Sequence, residues 1–184
     1  FVGSSLADIR TKARDIAAWL HTQNRAVLSF DDEPGKYYRG KLSSSVDFAH
    51  MGNMGQFSLV FTCEPLAYGA EVTVDFTNDA VTVNNQGTFE SPPVFTTTFT
   101  AAAAEWKVTG PGDNYIRVVH DFQIGDTMEV NAATGAILIN GTRAMDKLDW
   151  ANSRWFPLRV GDSDLAVAPT GVCSTRVSWI PRYL

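Results

Sequence analysis

The stretch from Tyr115 to Gly141 restricts the fold more than any other part of the chain. Ile116, Val118, His120 and Phe122 alternate with Tyr115, Arg117, Val119 and Asp121, so an extended backbone here has one apolar and one polar face. After Ile124-Gly125-Asp126 the alternation resumes, with Met128 and Val130 set against Thr127, Glu129 and Asn131. A second reversal at Ala133-Thr134-Gly135 leads into Ile137-Leu138-Ile139, and Asn140-Gly141 closes the run. Three short strands with Gly-containing turns predict a β-meander with one apolar face. Water cannot be the cover for such a face, so a second layer is required.

The flanking sequence supplies that layer. Val72, Val74 and Phe76 alternate with polar neighbours, as do Val81 and Val83. Val94 to Thr100, Trp106 with Val108, Trp155 to Val160, Leu165 to Ala168 and Thr175 to Ile180 read as further strands. Short strands recurring about every ten residues indicate a β-sandwich. Pro92-Pro93 blocks a central strand at that point, and Arg143 to Asn152 is either a short helical turn or a loop crossing the end of the sandwich.

The part before Leu66 has a different pattern. Leu6, Ile9, Ala13, Ile16 and Leu20 recur in steps of three and four, which predicts a helix over 5–21, with Trp19 widening its apolar stripe. Ser5 and Asp8 form a capping-box pair at its start. Ala26 to Phe30 reads as a strand, Asp31-Asp32-Glu33-Pro34-Gly35 as a turn, and Lys36 to Gly40 with Leu42 to Phe48 as an extended stretch. A loop at Met51-Gly52-Asn53-Met54-Gly55 precedes an alternating strand from Phe57 that Pro65 ends. The fold class is therefore mainly β with a small α+β part: a helix-plus-sheet domain over 1–69, then a sandwich over 70–184. The last strand either completes the sandwich or returns to the first domain.

Composition narrows the function. A net charge of −5 without a Lys/Arg cluster disfavours nucleic acid as a partner. No segment has the roughly 18–20 apolar residues that a membrane-spanning helix requires, so membrane insertion is not expected. Phe1-Val2-Gly3-Ser4-Ser5 is neither a signal peptide nor a start, so the first domain is expected to lack residues upstream. The two cysteines, Cys63 and Cys173, are too few for a disulfide scaffold and read as buried thiols.

No catalytic residues, metal ligands or cofactor site emerge. The three histidines, His21, His50 and His120, belong to no compact ligand motif. Asp31-Asp32-Glu33 and Asp162-Ser163-Asp164 read as solvated turns, and no nucleophile, P-loop or dinucleotide pattern is present. Asn140-Gly141-Thr142 has the form of a glycosylation sequon but reads more simply as a hairpin turn. Among the tryptophans of the β-rich half, Trp150 is the best surface candidate, for a protein partner or a sugar ring.

The order of elements resembles the distal tail proteins of long, non-contractile-tailed bacteriophages and related prophage tail proteins. The resemblance rests on Trp19-Leu20, Val27-Leu28-Ser29-Phe30, Tyr37-Tyr38-Arg39-Gly40 and Phe57 through Pro65 in the first part. In the second part it rests on Asn85-Gln86-Gly87-Thr88, Pro92-Pro93-Val94, Gly125-Asp126, Ile139-Asn140-Gly141, Trp155 through Gly161 and Val177-Ser178-Trp179-Ile180. It implies a non-enzymatic virion protein at the tail tip. Its first domain would form a hexameric ring and its second would be a galectin-like sandwich. The ring would join the tail tube protein to tail-tip and receptor-binding proteins. Tyr37, Tyr38 and Arg39 are the interface candidates, because aromatic and Arg side chains anchor protein contacts. A carbohydrate-binding module touching the host surface, with Trp150 as sugar contact, is the alternative.

Overall fold

The structure, a computed structural model, describes residues 4–22, 24–43, 47–51 and 54–184, with 47–51 and 54–58 described by backbone alone. The chain divides into two compact units, Phe1–Ala67 and Tyr68–Leu184.

In the first unit, helix α1 spans Leu6–Leu20. Ser5 caps it: its side chain accepts from the Asp8 N–H at 3.2 Å, while the Asp8 carboxylate accepts from the Ser4 N–H at 2.8 Å. The return bond thus reaches one residue further out than in a simple capping box. Lys12 lies 3.1 Å from Asp8 one turn on. Of the apolar stripe, Ile9 is buried and Ala13, Ile16 and Leu20 are half-buried. Trp19 lies off the stripe and is 79% exposed, contrary to the expectation that it widens the buried face.

Strands β1 (Ala26–Leu28), β2 (Tyr37–Leu42), β3 (Asp47–Met51), β4 (Met54–Ser58) and β5 (Phe61–Tyr68) follow. β1 and β2 pair antiparallel with Val27 opposite Arg39, and β5 lies on the far side of β2. β3 and β4 form a hairpin with Met51 opposite Met54, where the sequence suggested a loop; Gly52 and Asn53 fall outside the described residues. β5 runs through Pro65 to Tyr68 instead of ending at the proline, which is compatible with a strand wherever its missing N–H has no ladder partner.

The second unit is a two-sheet sandwich. Its strands are β6 (Val72–Asp75), β7 (Ala80–Asn85), β8 (Val94–Phe99), β9 (Ala103–Thr109), β10 (Tyr115–Phe122), β11 (Thr127–Asn131), β12 (Ala136–Ile139), β13 (Thr142–Arg143), β14 (Gly161–Ala168) and β15 (Cys173–Trp179), while a short β16 (Arg182–Tyr183) at the end lies in neither sandwich sheet. One sheet runs β13-β12-β11-β8-β15-β6 and the other β10-β9-β14-β7. The expected meander is therefore divided. β11 and β12 pair with each other, but β10 lies in the opposite sheet, and the reversal at 123–126 carries the chain from one layer to the other. The two apolar faces read from sequence meet across the core instead of lying side by side.

Aromatic side chains interlock there. Phe99 of β8 stacks on Phe122 of β10 with centroids 3.9 Å apart and planes 10° from parallel. Phe95 of β8 meets Trp106 of β9 at 6.1 Å, and meets Phe156 edge-on at the same separation. Burying side chains of this size contributes about 1.5–3 kcal/mol each. Two threonines in the core, Thr97 and Thr175, face each other across β8 and β15 and share a 3.0 Å hydrogen bond.

Asn140 and Gly141 both have positive φ, 50° and 76°, and form the tight turn between β12 and β13. The crossing segment combines both readings of 143–152: a 3₁₀ turn at Met145–Lys147 within a loop that bridges back to β10 through Leu148. Trp155 to Val160 is not a strand. Its only ladder contact is a bridge in which Ser91 and Leu158 exchange backbone hydrogen bonds of 3.0 and 2.8 Å, although Phe156 and Leu158 are buried. Alternating burial there reflects a loop pressed on the core, not a sheet. Cys63 is exposed and Cys173 half-buried, so neither is the fully buried thiol expected; burial raises the Cys173 pKa.

Asn85 organises the loop that follows β7. It is buried, donates to the Phe89 and Leu158 carbonyls at 3.1 and 3.3 Å, and accepts from the Gly87 N–H at 3.1 Å. This brings Gly87 hard against the Arg182 backbone, where Thr88 and Phe89 donate to the Arg182 carbonyl at 2.9 and 3.0 Å. A Cβ at position 87 would collide with main-chain atoms that no rotamer change can move. Gly87→Ala is therefore expected to destabilise the protein by about 1–3 kcal/mol in chemical denaturation, the range typical of overpacking.

Candidate functional site

Two surface regions carry the residues singled out from sequence, and each is built by local chemistry. In the β1–β2 hairpin the strand alternation puts Tyr37 and Arg39 on one face and Tyr38 on the other. The three interface candidates are thus not a single patch.

Tyr38 is tied to the turn. Its hydroxyl donates to Glu33 Oε2 at 2.5 Å, Lys36 Nζ donates to Glu33 Oε1 at 2.9 Å, and the Phe30 ring meets the Tyr38 ring edge-on at 5.8 Å. The Tyr38 hydroxyl, with help from Lys36, lowers the Glu33 pKa; the same hydrogen bond raises that of Tyr38. Tyr37 is half-buried and Arg39 exposed.

Arg39 belongs to a cationic cleft that sequence reading did not single out. Arg25, Arg39 and Lys41 line it with Leu42, Thr62 and Glu64, enclosing about 910 Å³ of open space. Glu64 accepts from Arg25 at 3.3 Å. The signal was present in the sequence as Arg39-Gly40-Lys41, two cations at a spacing that puts both on one strand face. It was obscured because Arg25 joins only through the register of β1 against β2.

In the sandwich, Trp150 is 64% exposed, with its indole N–H donating to the Met145 carbonyl at 3.1 Å. The segment carrying it is anchored to β10. Arg117 pairs with Glu105 on one side and with Asp149 at 3.2 Å on the other, and the Arg117 N–H donates to the Ser153 hydroxyl at 3.0 Å. Glu105 first, then Asp149, raises the Arg117 pKa; the Asn152 amide, ahead of Arg117, lowers that of Asp149. Trp106 and Trp179 are buried in the core and Trp155 is half-buried, so among these four tryptophans Trp150 alone presents most of its ring to solvent.

The acidic groups show no reactive geometry. Asp162 and Asp164 accept from Asn84 and Thr82 at 2.6 Å each, across the β7–β14 pair. Among the described residues no group of His, Cys, Asp or Glu side chains is arranged to hold a metal ion. His120 is half-buried and meets the Phe122 ring edge-on at 5.0 Å.

Comparison with known proteins accounts for this β-rich scaffold. A family model described as the siphovirus-type tail component, C-terminal domain, matches residues 86–183, and one described as a phage tail protein RIFT-related domain matches residues 1–63. The distal tail protein of Bacillus phage SPP1 is 27% identical over 157 residues, 83% of this chain and 62% of that protein. The chain thus spans less than two thirds of that relative's length. The crystal structure of the SPP1 distal tail protein, described as a paradigm of the hub adsorption apparatus in phages infecting Gram-positive bacteria, superposes with a TM-score of 0.85. It is 21% identical, with 98% of this chain and 74% of that one covered.

The matching family models make this β-rich chain a component of a siphovirus-type phage tail. The chain belongs to the siphovirus-type tail component family, and within it is of the distal-tail type, a constituent of the virion tail.

The depressed Glu33 pKa fixes the sign of a pH effect at the hairpin turn. Its contribution is complete above the ordinary value of 4.5 and is lost as pH falls through the lower folded value. Tyr38→Phe is expected to raise the Glu33 pKa toward 4.5, as read by carboxylate NMR titration; an unchanged titration would contradict the bond.

Proposed function

We propose that this chain builds a homo-hexameric ring that joins the tail tube protein to tail-tip and receptor-binding proteins, the first unit forming the ring and the second serving as an outward module. The carrying observation is surface chemistry in the first unit, in a chain of a tail-component family. Trp19, Val27, Phe30 and Val60 are large apolar residues that are all more than half exposed. Exposed apolar side chains of this size gain when a partner covers them. A closed ring uses heterologous contacts, in which each copy offers one surface to a different surface of its neighbour. Tyr37 and Arg39 supply anchors on one sheet face, while Tyr38 holds the turn in shape. A protein of this kind works by geometry and needs neither a catalytic group nor a cofactor.

The test is mass measurement by light scattering on the protein, with negative-stain imaging. The expected result is a species of six-fold mass with a central opening. A product that stays monomeric at high concentration and does not join tubes or tip proteins would overturn the reading.

Glycan contact at Trp150 is a second reading, favoured by an exposed indole whose N–H is already engaged. It predicts glycan-array binding that Trp150→Ala abolishes while assembly is retained. Assembly without glycan affinity in the unmodified protein rejects it.

A further inference from the structure

We propose that the second unit carries a strand-docking cleft. The open edge of β14 at Asp162 and Asp164 takes an extended peptide of another protein, with lysines or arginines at alternate positions. The inference is independent of the ring reading, since a single copy contains the whole cleft.

The edge is left open by the way β9 ends. β14 pairs with β7 from Gly161 to Ala166, but with β9 only from Ala166 to Ala168. The Val167 N–H donates to the Asp79 carbonyl at 2.7 Å, so the main chain of the odd-numbered residues of β14 faces the β7 side. By alternation the N–H and C=O groups of Asp162 and Asp164 face the other way, toward the side on which Ala166 lies opposite Thr109. Continuing that register, Asp164 would meet Pro111. Proline has no N–H to give, and the Pro111 carbonyl accepts from the Asn114 side chain at 2.9 Å. Gly112 and Asp113, with φ of 70° and 58°, then turn the chain back toward β10. Among the described residues nothing bonds to the main chain of Asp162 or Asp164 on that side. A cleft of about 750 Å³ opens there, between β14 and the Pro111–Asp113 turn. Every residue that lines it belongs to the second unit.

The chemistry of the cleft selects the guest. Asp162 and Asp164 are exposed on the outer face, where each accepts at 2.6 Å from a neutral partner, Asn84 and Thr82 respectively. The two carboxylates are thus held in place while their charge stays uncompensated. Asp113 is exposed on the facing turn, and Arg159 is the one cation in the lining. Three carboxylates against one guanidinium suit a cationic guest.

An antiparallel guest that bonds to the main chain of Asp162 and Asp164 sets its own residues opposite them on the same outer face, within side-chain reach. Cations two residues apart therefore meet both charges, while main-chain bonds supply the affinity that strand addition provides. The guest residue between them turns inward beside Ser163. That serine also lines the cleft, and its buried hydroxyl has no partner among the described residues. A guest serine or threonine at this position supplies one.

The test uses the full chain and a synthetic peptide, acetyl-Lys-Thr-Lys-Thr-Lys-amide, followed by calorimetry and by NMR amide exchange. In the free chain the Asp162 and Asp164 amides are expected to exchange faster than those of Ser163 and Leu165, and bound peptide slows them about tenfold or more. Asp162→Asn with Asp164→Asn, which keeps an acceptor for Asn84 and for Thr82, weakens binding about tenfold or more. N-methylation of the lysine amides leaves the peptide's charge intact but removes its ladder donors, and affinity falls by a similar factor. Asp162 and Asp164 amides as protected in the free chain as their neighbours overturn the open edge. An N-methylated peptide that binds equally well overturns strand addition, leaving charge attraction alone. A peptide with glutamates in place of the lysines that binds as tightly overturns the choice of guest, and so does a lysine peptide that fails to bind at millimolar concentration.

Discussion

The sandwich depends on one constraint: two sheets must bury each other's apolar faces, and the aromatic residues of β8 set how they meet. Phe95 and Phe99 project from the centre of the six-stranded sheet onto Trp106 and Phe122 of the other. Phe156 completes the cluster from a loop that has almost no ladder of its own. Every strand that flanks this cluster has its register fixed by the need to keep alternate residues inside, because a one-residue slip would turn the buried set outward.

Around that interior, buried polar groups are used to fasten loops. Asn85 satisfies itself on three backbone groups and so shapes the segment from Gly87 to Ser91. Arg117 and Ser153 fasten the crossing segment to β10, which leaves Trp150 projecting. Carboxylates that look reactive as a list of residues are engaged across strands by Asn84 and Thr82.

The first unit carries the opposite balance. Its hairpin buries little on either face and keeps cations at one end, carboxylates at the other, and apolar side chains exposed at both. A few well-placed bonds, chiefly Tyr38 and Lys36 on Glu33, hold the turn without covering it.

Much of this was legible in the residues themselves. Period-two alternation identified nearly every strand of the sandwich and the side each residue buries, because burial follows directly from side-chain direction along an extended chain. The steps of three and four in Leu6 to Leu20 located the helix, and Asn140-Gly141 marked the turn between β12 and β13, because only a few residue types tolerate positive φ. Sheet membership was not legible: β10 and β11 share a pattern and a short reversal, yet lie in opposite layers. Nor was the joining of Arg25 to Arg39 and Lys41, whereas the alternation that sets Tyr38 apart from its two neighbours was. Local sequence determines which way a side chain faces, since that is set by the backbone within a few residues. Which other face it meets is decided by pairing between distant strands, and only the tertiary structure contains it.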